Sequence, residues 1–189
     1  MERVYVEYLG DPDRPTGPLQ ELVWLRKIIV ERALTRGDYI LSGGARSDYY
    51  IDKFALFADP NVLRRIARLF TPIVSETQPD LIAGTELGGV VIATAVSQMS
   101  GVPMIAVRKT PKSYGAFAND FVEGPYHAGQ RVLLLEDVVT NARSLLKAKD
   151  DLEALGLHVT TCAVVSRGLA PVRALIQFSL PRGNAPLEN

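Results

Sequence analysis

The stretch Arg131-Val132-Leu133-Leu134-Leu135-Glu136-Asp137-Val138-Val139-Thr140-Asn141-Ala142-Arg143-Ser144 holds, in order, an apolar run, two carboxylates, a hydroxyl-bearing turn and a helix start. Arg131 to Leu135 shows no polar alternation, the pattern of a strand buried on both faces. A helix is expected over Ser144–Leu155, closed by Gly156. The same grammar repeats on either side. Asp80–Gly84 is a short apolar strand, Gly89–Ser100 a helix stopped by Gly101, and Pro103–Val107 and His158–Val165 are further strands. Asp59-Pro60 supplies a capping carboxylate and a proline at the first position of a helix that continues through Leu63, Ile66, Phe70 and Ile73. Apolar strands separated by helices imply an α/β domain whose central, mainly parallel sheet is flanked by helices.

Upstream, Leu22, Leu25, Ile28, Ile29 and Ala33 recur at helical spacing, with Gly37 placed just past the helix end. Tyr39–Leu41 and Tyr49–Asp52 are strand-like around the small-residue loop Ser42–Ser47. Arg108–Gln130 reads as a long loop and Val172–Leu180 as a final strand. Residues 1–20 form an N-terminal extension, 21–180 a single domain and 181–189 a tail.

Composition narrows the function. The chain of 189 residues carries 21 Lys and Arg against 21 Asp and Glu, so it has no broad basic surface and nucleic acid is not an expected partner. Phosphate affinity must arise from a local arrangement of donors. A hydrophobic content of 47% is that of a packed protein. There is no apolar run of membrane-spanning length and no leader-like start, so a cytoplasmic protein without a membrane partner is expected. The one cysteine, Cys162, lies in an apolar strand and excludes a disulfide framework or a cysteine-rich zinc site. His127 and His158 are isolated and read as structural.

In parallel sheets, ligands bind beyond the carboxyl ends of the strands. Glu136 and Asp137 suit the vicinal hydroxyls of a ribose, or a divalent cation, while the helix-start N–H groups after Thr140 suit a phosphate. A capping turn beside a solvated acidic pair is the plainer alternative. Arg108, Lys109 and Lys112 place three cations within five positions, matching either a polyphosphate or a solvated loop. Thr85-Glu86-Leu87-Gly88-Gly89 allows close backbone approach, without a dinucleotide fingerprint or a Walker lysine-serine pair. Together these strand ends describe a phosphate-rich ligand carrying a ribose.

On these residues the chain resembles the type I phosphoribosyltransferases, and within them the orotate phosphoribosyltransferases, over about residues 20–168. Val132–Thr140 is similar to the superfamily's PRPP-binding signature. Ser42–Asp52 resembles the orotate branch's substrate loop, and Arg108 through Lys112 to Gly115 resembles its catalytic hood. The resemblance implies the type I phosphoribosyltransferase fold, with a small N-terminal hood region, and transfer of phosphoribose from PRPP to orotate in pyrimidine biosynthesis. It implies that Glu136 and Asp137 hold the ribose hydroxyls and that Thr140, Asn141, Ala142, Arg143 and Ser144 cradle the 5′-phosphate. Thr85, Glu86, Gly88 and Gly89 would bind pyrophosphate with Mg2+, an ion arriving mainly with PRPP and with Asp137 as its protein neighbour. Arg108, Lys109, Lys112 and Tyr114 would face PRPP, with Lys112, Asp137 and Glu136 as the catalytic set. Tyr49, Tyr50, Thr140 and Arg167 would face orotate. A homodimer with shared active sites is implied as well.

Five positions depart from the family pattern. Ala142-Arg143 replaces two glycines of the phosphate loop, which raises the cost of any left-handed backbone there and brings a methyl group near the phosphate. The Arg143 guanidinium either binds the phosphate bidentately or occupies the phosphate's place, standing in for its cationic contacts. Tyr114 replaces a histidine, Ser166 an aspartate and Ser42, in some members, a lysine. The altered loop leaves a second function class in view: a protein of this fold that uses another acceptor, or binds nucleotide or PRPP as a regulator.

Overall fold

The computed structural model describes residues 17–41, 44–111, 121–168 and 170–178. Lys112, Tyr114, Ser42, the first sixteen residues and the stretch after Phe178 lie outside them.

Helix α1 (Pro18–Ile28) widens into a π-helical turn over Ile29–Ala33, and strand β1 (Leu34–Ile40) follows at once. Gly37 therefore lies inside a strand and does not end the helix. The helical stripe stops at Ala33 because Leu34 already has extended backbone. Strand β2 (Arg46–Ile51) pairs antiparallel with β1, and the two form a separate hairpin sheet. A short helix α2 (Phe54–Phe57) leads to α3 (Pro60–Leu69), capped as expected by Asp59, whose carboxylate accepts the N–H groups of Asn61 and Val62. The continuous helix expected through Ile73 breaks at Phe70, and α4 (Thr71–Thr77) restarts with Pro72 in its first turn. A proline there cannot donate the bond that would join the two segments.

The central sheet is built from β3 (Leu81–Thr85), β4 (Met104–Val107), β5 (Val122–Glu123), β6 (Arg131–Val139), β7 (His158–Ser166) and β8 (Ala174–Gln177). Their order is β5-β4-β3-β6-β7-β8, parallel throughout except for β5 against β4. The strand β5 interrupts the long loop expected over 108–130. Two residues of regular pairing leave no periodicity for a sequence to display. Helix α5 (Glu86–Ser100) starts three residues earlier than the pattern predicts and ends on left-handed Gly101; α6 (Arg143–Ala154) joins β6 to β7.

The uninterrupted apolar strands are explained by two cores, one on each face. Leu133 and Leu135 of β6, Ile82 of β3, and Cys162 and Val164 of β7 pack with α1, α3 and α5. Their neighbours Val132, Leu134, Ala83 and Ala163 pack with Leu145 and Leu152 of α6. Leu133, Leu134 and Leu135 are all fully buried, each contributing about 1.5–3 kcal/mol of apolar transfer energy. Strand β6 is thereby pinned centrally, and its carboxyl end becomes a fixed platform.

Candidate functional site

Strand β6 runs to Val139, four residues past the expected end, so Glu136 and Asp137 sit within its last turn of pairing rather than after it. Both are buried, at 9% and 4% exposure. Glu136 accepts a short hydrogen bond from the Thr85 hydroxyl, and its Oε1 accepts the Asp137 N–H at 3.2 Å. Burial first, and the Asp137 charge second, push the Glu136 carboxyl up to about 7. Asp137 takes the Val138 N–H on Oδ1 and faces the Lys53 ammonium at 2.8 Å on Oδ2. Behind it lies Gly88: a methyl group there would come within 1.5 Å of Oδ2, so only glycine leaves room for this carboxylate. One turn away, a Cβ on Gly84 would meet the Gly89 carbonyl at 2.3 Å, which shows how closely α5 is drawn onto β3.

These carboxylates form one wall of a cavity of about 260 Å3. Its other walls are Lys53, Glu86 and Lys109, the loop Thr140–Ser144, and Leu41 and Ala45 from the hairpin. The loop closes onto the first turn of α6, whose start lines the cavity and brings the positive helix end to it. Ala142 does adopt the left-handed conformation a glycine would favour, with φ 56° and ψ 12°. Its methyl is buried in the α6-side core with Val139 and Leu145, so packing offsets part of the backbone cost. Asn141 Oδ1 accepts the Arg143 N–H at 3.2 Å, and the Arg143 side chain is exposed at the cavity's rim.

Opposite, Glu86 is left-handed at φ 53°, and its carboxylate accepts the Lys109 N–H at 3.0 Å, tying the end of β4 to the first turn of α5. Lys109 lines the cavity. The Arg108 guanidinium instead pairs with Glu123 of β5 at 3.5 Å.

Of the residues expected to face orotate, Tyr49 and Arg167 form a second cluster beside the first, together with Ser47, while Thr140 lines the cavity itself. Arg167 donates to the Tyr49 hydroxyl at 3.0 Å and to the Ser47 hydroxyl at 2.6 Å, with its guanidinium 3.8 Å from the Tyr49 ring centre. The Arg167 N–H bonds the Val139 carbonyl, so this cluster hangs on the same end of β6. Tyr50 is exposed and tilts against Tyr39. Cys162 is fully buried, as expected, and its thiol is pushed up to about 11 by burial.

Lys53 escaped the sequence reading. The signal was present, since a cation directly after a strand end was the reason for singling out Arg108 and Lys109. Lys53 lies just past β2, behind the Asp52 at which the quoted substrate-loop segment stopped.

Known proteins resemble this chain in sequence and fold. Residues 55–174 match the phosphoribosyl transferase domain family. The orotate phosphoribosyltransferase of Thermococcus gammatolerans is 42% identical over 141 residues, covering 74% of each chain. That of Pyrococcus furiosus is 41% identical over 143 residues, 75% of this chain and 78% of the relative. The crystal structure of Mycobacterium tuberculosis orotate phosphoribosyltransferase in complex with PRPP superimposes with a TM-score of 0.64 at 25% identity, covering 82% of this chain and 93% of that one. The chain belongs to the orotate phosphoribosyltransferase family.

Proposed function

We propose that this member of the family transfers the phosphoribosyl group of PRPP to orotate, releasing pyrophosphate and forming orotidine 5′-monophosphate for pyrimidine synthesis. The observation that carries the reading is the single cavity in which a buried acidic pair, a helix-start phosphate loop and Lys109 converge at the carboxyl end of a parallel sheet. In the reaction the bond from the anomeric carbon to pyrophosphate breaks as the bond to a ring nitrogen of orotate forms. Positive charge develops on the ribose between them.

Glu136 and Asp137 accept hydrogen bonds from the ribose hydroxyls and lie beside that charge. The Thr140–Ser144 backbone and hydroxyls bind the 5′-phosphate. Lys109, with Arg108 and Lys112, balances the negative charge gathering on pyrophosphate. Arg167, set by Tyr49 and Ser47, pairs with the orotate carboxylate; Tyr50 and Thr140 complete that side. No protein nucleophile is required, because the residues position and stabilise charge.

The donor set suits Mg2+ in one manner. Among the described residues no three carboxylate, histidine or cysteine side chains gather as a cage, while Asp137 is one of the residues lining the cavity. That is the setting for an ion held chiefly by substrate phosphates, with Asp137 as its protein neighbour. When bound, Mg2+ supplies charge neutralisation at the leaving group.

The exposed Ile40, Tyr50 and Phe54 near the hairpin leave apolar surface for a second copy, in keeping with a homodimer that shares its sites. No helix among the described residues is long and apolar enough to cross a membrane, and we place the protein in the cytoplasm. The test is product formation from Mg2+ and PRPP with orotate, uracil, adenine or hypoxanthine offered separately. Orotate alone should yield nucleotide and pyrophosphate. Transfer to another base with orotate inert would overturn the reading.

A further inference from the structure

We propose that Lys53 is a positioning residue of the phosphoribosyl site, acting through the Asp137 carboxylate; the proposal rests on the reading of the cavity as a PRPP site. Three groups fix that carboxylate. The Val138 N–H holds Oδ1, the Lys53 ammonium stands 2.8 Å from Oδ2, and Gly88 leaves the space behind them open for it. Two of the three belong to the sheet and to α5. Lys53 does not: it comes from the turn between β2 and α2, so its charge is delivered across the cavity from the hairpin side.

The lysine stem threads along α5, its Cε 3.1 Å from where a side chain on Gly88 would begin. Its ammonium lies 5.9 Å from the Phe54 ring centre. A surface tether would have no reason to follow this route.

The physical need is clear. Adjacent buried carboxylates repel, and a buried charge is costly unless it is paired. Burial works against the lysine's own charge, yet Asp137 and then Glu136 outweigh it and hold Lys53 above its ordinary range. The cation holds the Asp137 carboxylate in place at the cavity wall, where it meets the hydroxyl groups of a ribose. Without it, the carboxylate would swing away from Val138.

The experiment is a double-mutant cycle on Mg·PRPP affinity, read by calorimetry, with Lys53→Met, Asp137→Asn and the pair, and with Lys53→Arg as the conservative variant. Lys53→Met should weaken PRPP binding roughly tenfold, while adding it to Asp137→Asn should change affinity by less than about twofold. Lys53→Arg should restore most of the loss, and the orotate KM should stay unchanged. A crystal structure of Lys53→Met should show the Asp137 carboxylate displaced from the Val138 N–H.

Unaltered affinity, additive losses or an unmoved carboxylate would overturn the proposal and leave the PRPP reading intact. A wild-type protein without PRPP affinity would overturn both.

Discussion

At the β6 side of the cavity, Glu136 and Asp137 are almost wholly buried, and each oxygen is committed to a hydroxyl, an N–H or an ammonium. A few residues further on, the Thr140–Ser144 loop turns into α6 with Asn141, Arg143 and Ser144 exposed, and its proposed phosphate contacts are backbone N–H groups. The first region encodes its chemistry in side chains and depends on every partner. The second encodes it in backbone geometry, which a different residue can reproduce if its Cβ finds room. This explains how Ala142 stands where family members carry glycine: the left-handed φ is kept, and the methyl turns into the core.

The contrast breaks most readily at Gly88. In Gly88→Ala the new methyl competes with the Asp137 carboxylate for the same space. Displacing that group should lower kcat/KM by roughly 100-fold. Steady-state kinetics beside thermal unfolding would check it, and near-normal turnover would mean the carboxylate position is not critical.

A smaller effect should appear in the pH dependence of the ligand-free protein. The folded-state value of Glu136, about 7, lies above its unfolded value of 4.5. The folded state thus binds more protons between these values, and stability falls as pH rises through that window, then levels off. The loss should be on the order of 1–3 kcal/mol. Asp80 and Glu76, held low by Arg131 and Arg173, lose their contribution only as pH falls below the ordinary carboxylate range, outside the window. Denaturant melts between pH 5 and 8 should show the slope in wild type and its absence in Glu136→Gln. Equal slopes would remove Glu136 as the cause.

The smallest effect belongs to the loop. Ala142→Gly relieves a left-handed backbone cost of about 1 kcal/mol but forfeits a buried methyl and loosens the unfolded chain by similar amounts. Stability should change by less than ~1 kcal/mol, and PRPP affinity by less than about threefold. A large gain in affinity would show that the alanine obstructs the loop.

How much of this was legible in the sequence follows the same division. The uninterrupted run Val132–Leu135 announced a strand covered on both faces, and Asp59-Pro60 announced a helix start, because burial and capping leave local signatures. The end of β6 was misjudged, since two carboxylates look like the close of a strand unless neighbours that hold them are known. Those neighbours, Thr85 and Lys53, are 51 and 84 positions away from Glu136 and Asp137, respectively, and no local period links them. The π-helical turn before Leu34 and the two-residue strand β5 were likewise invisible, as tertiary packing sets both. Gathering Ser47, Tyr49 and Arg167 required the hairpin to fold onto the end of β7.

The most direct measurement is a calorimetric titration of Mg·PRPP into the purified protein, followed by orotate in the same cell. Saturable binding should come first, and then reaction heat with pyrophosphate and orotidylate released in equal amounts, from a site whose loop carries Ala142 and Arg143. Absent binding in this protein, with binding gained when both residues are replaced by glycine, would contradict the account: the loop would then be closed to the ligand its geometry is proposed to hold.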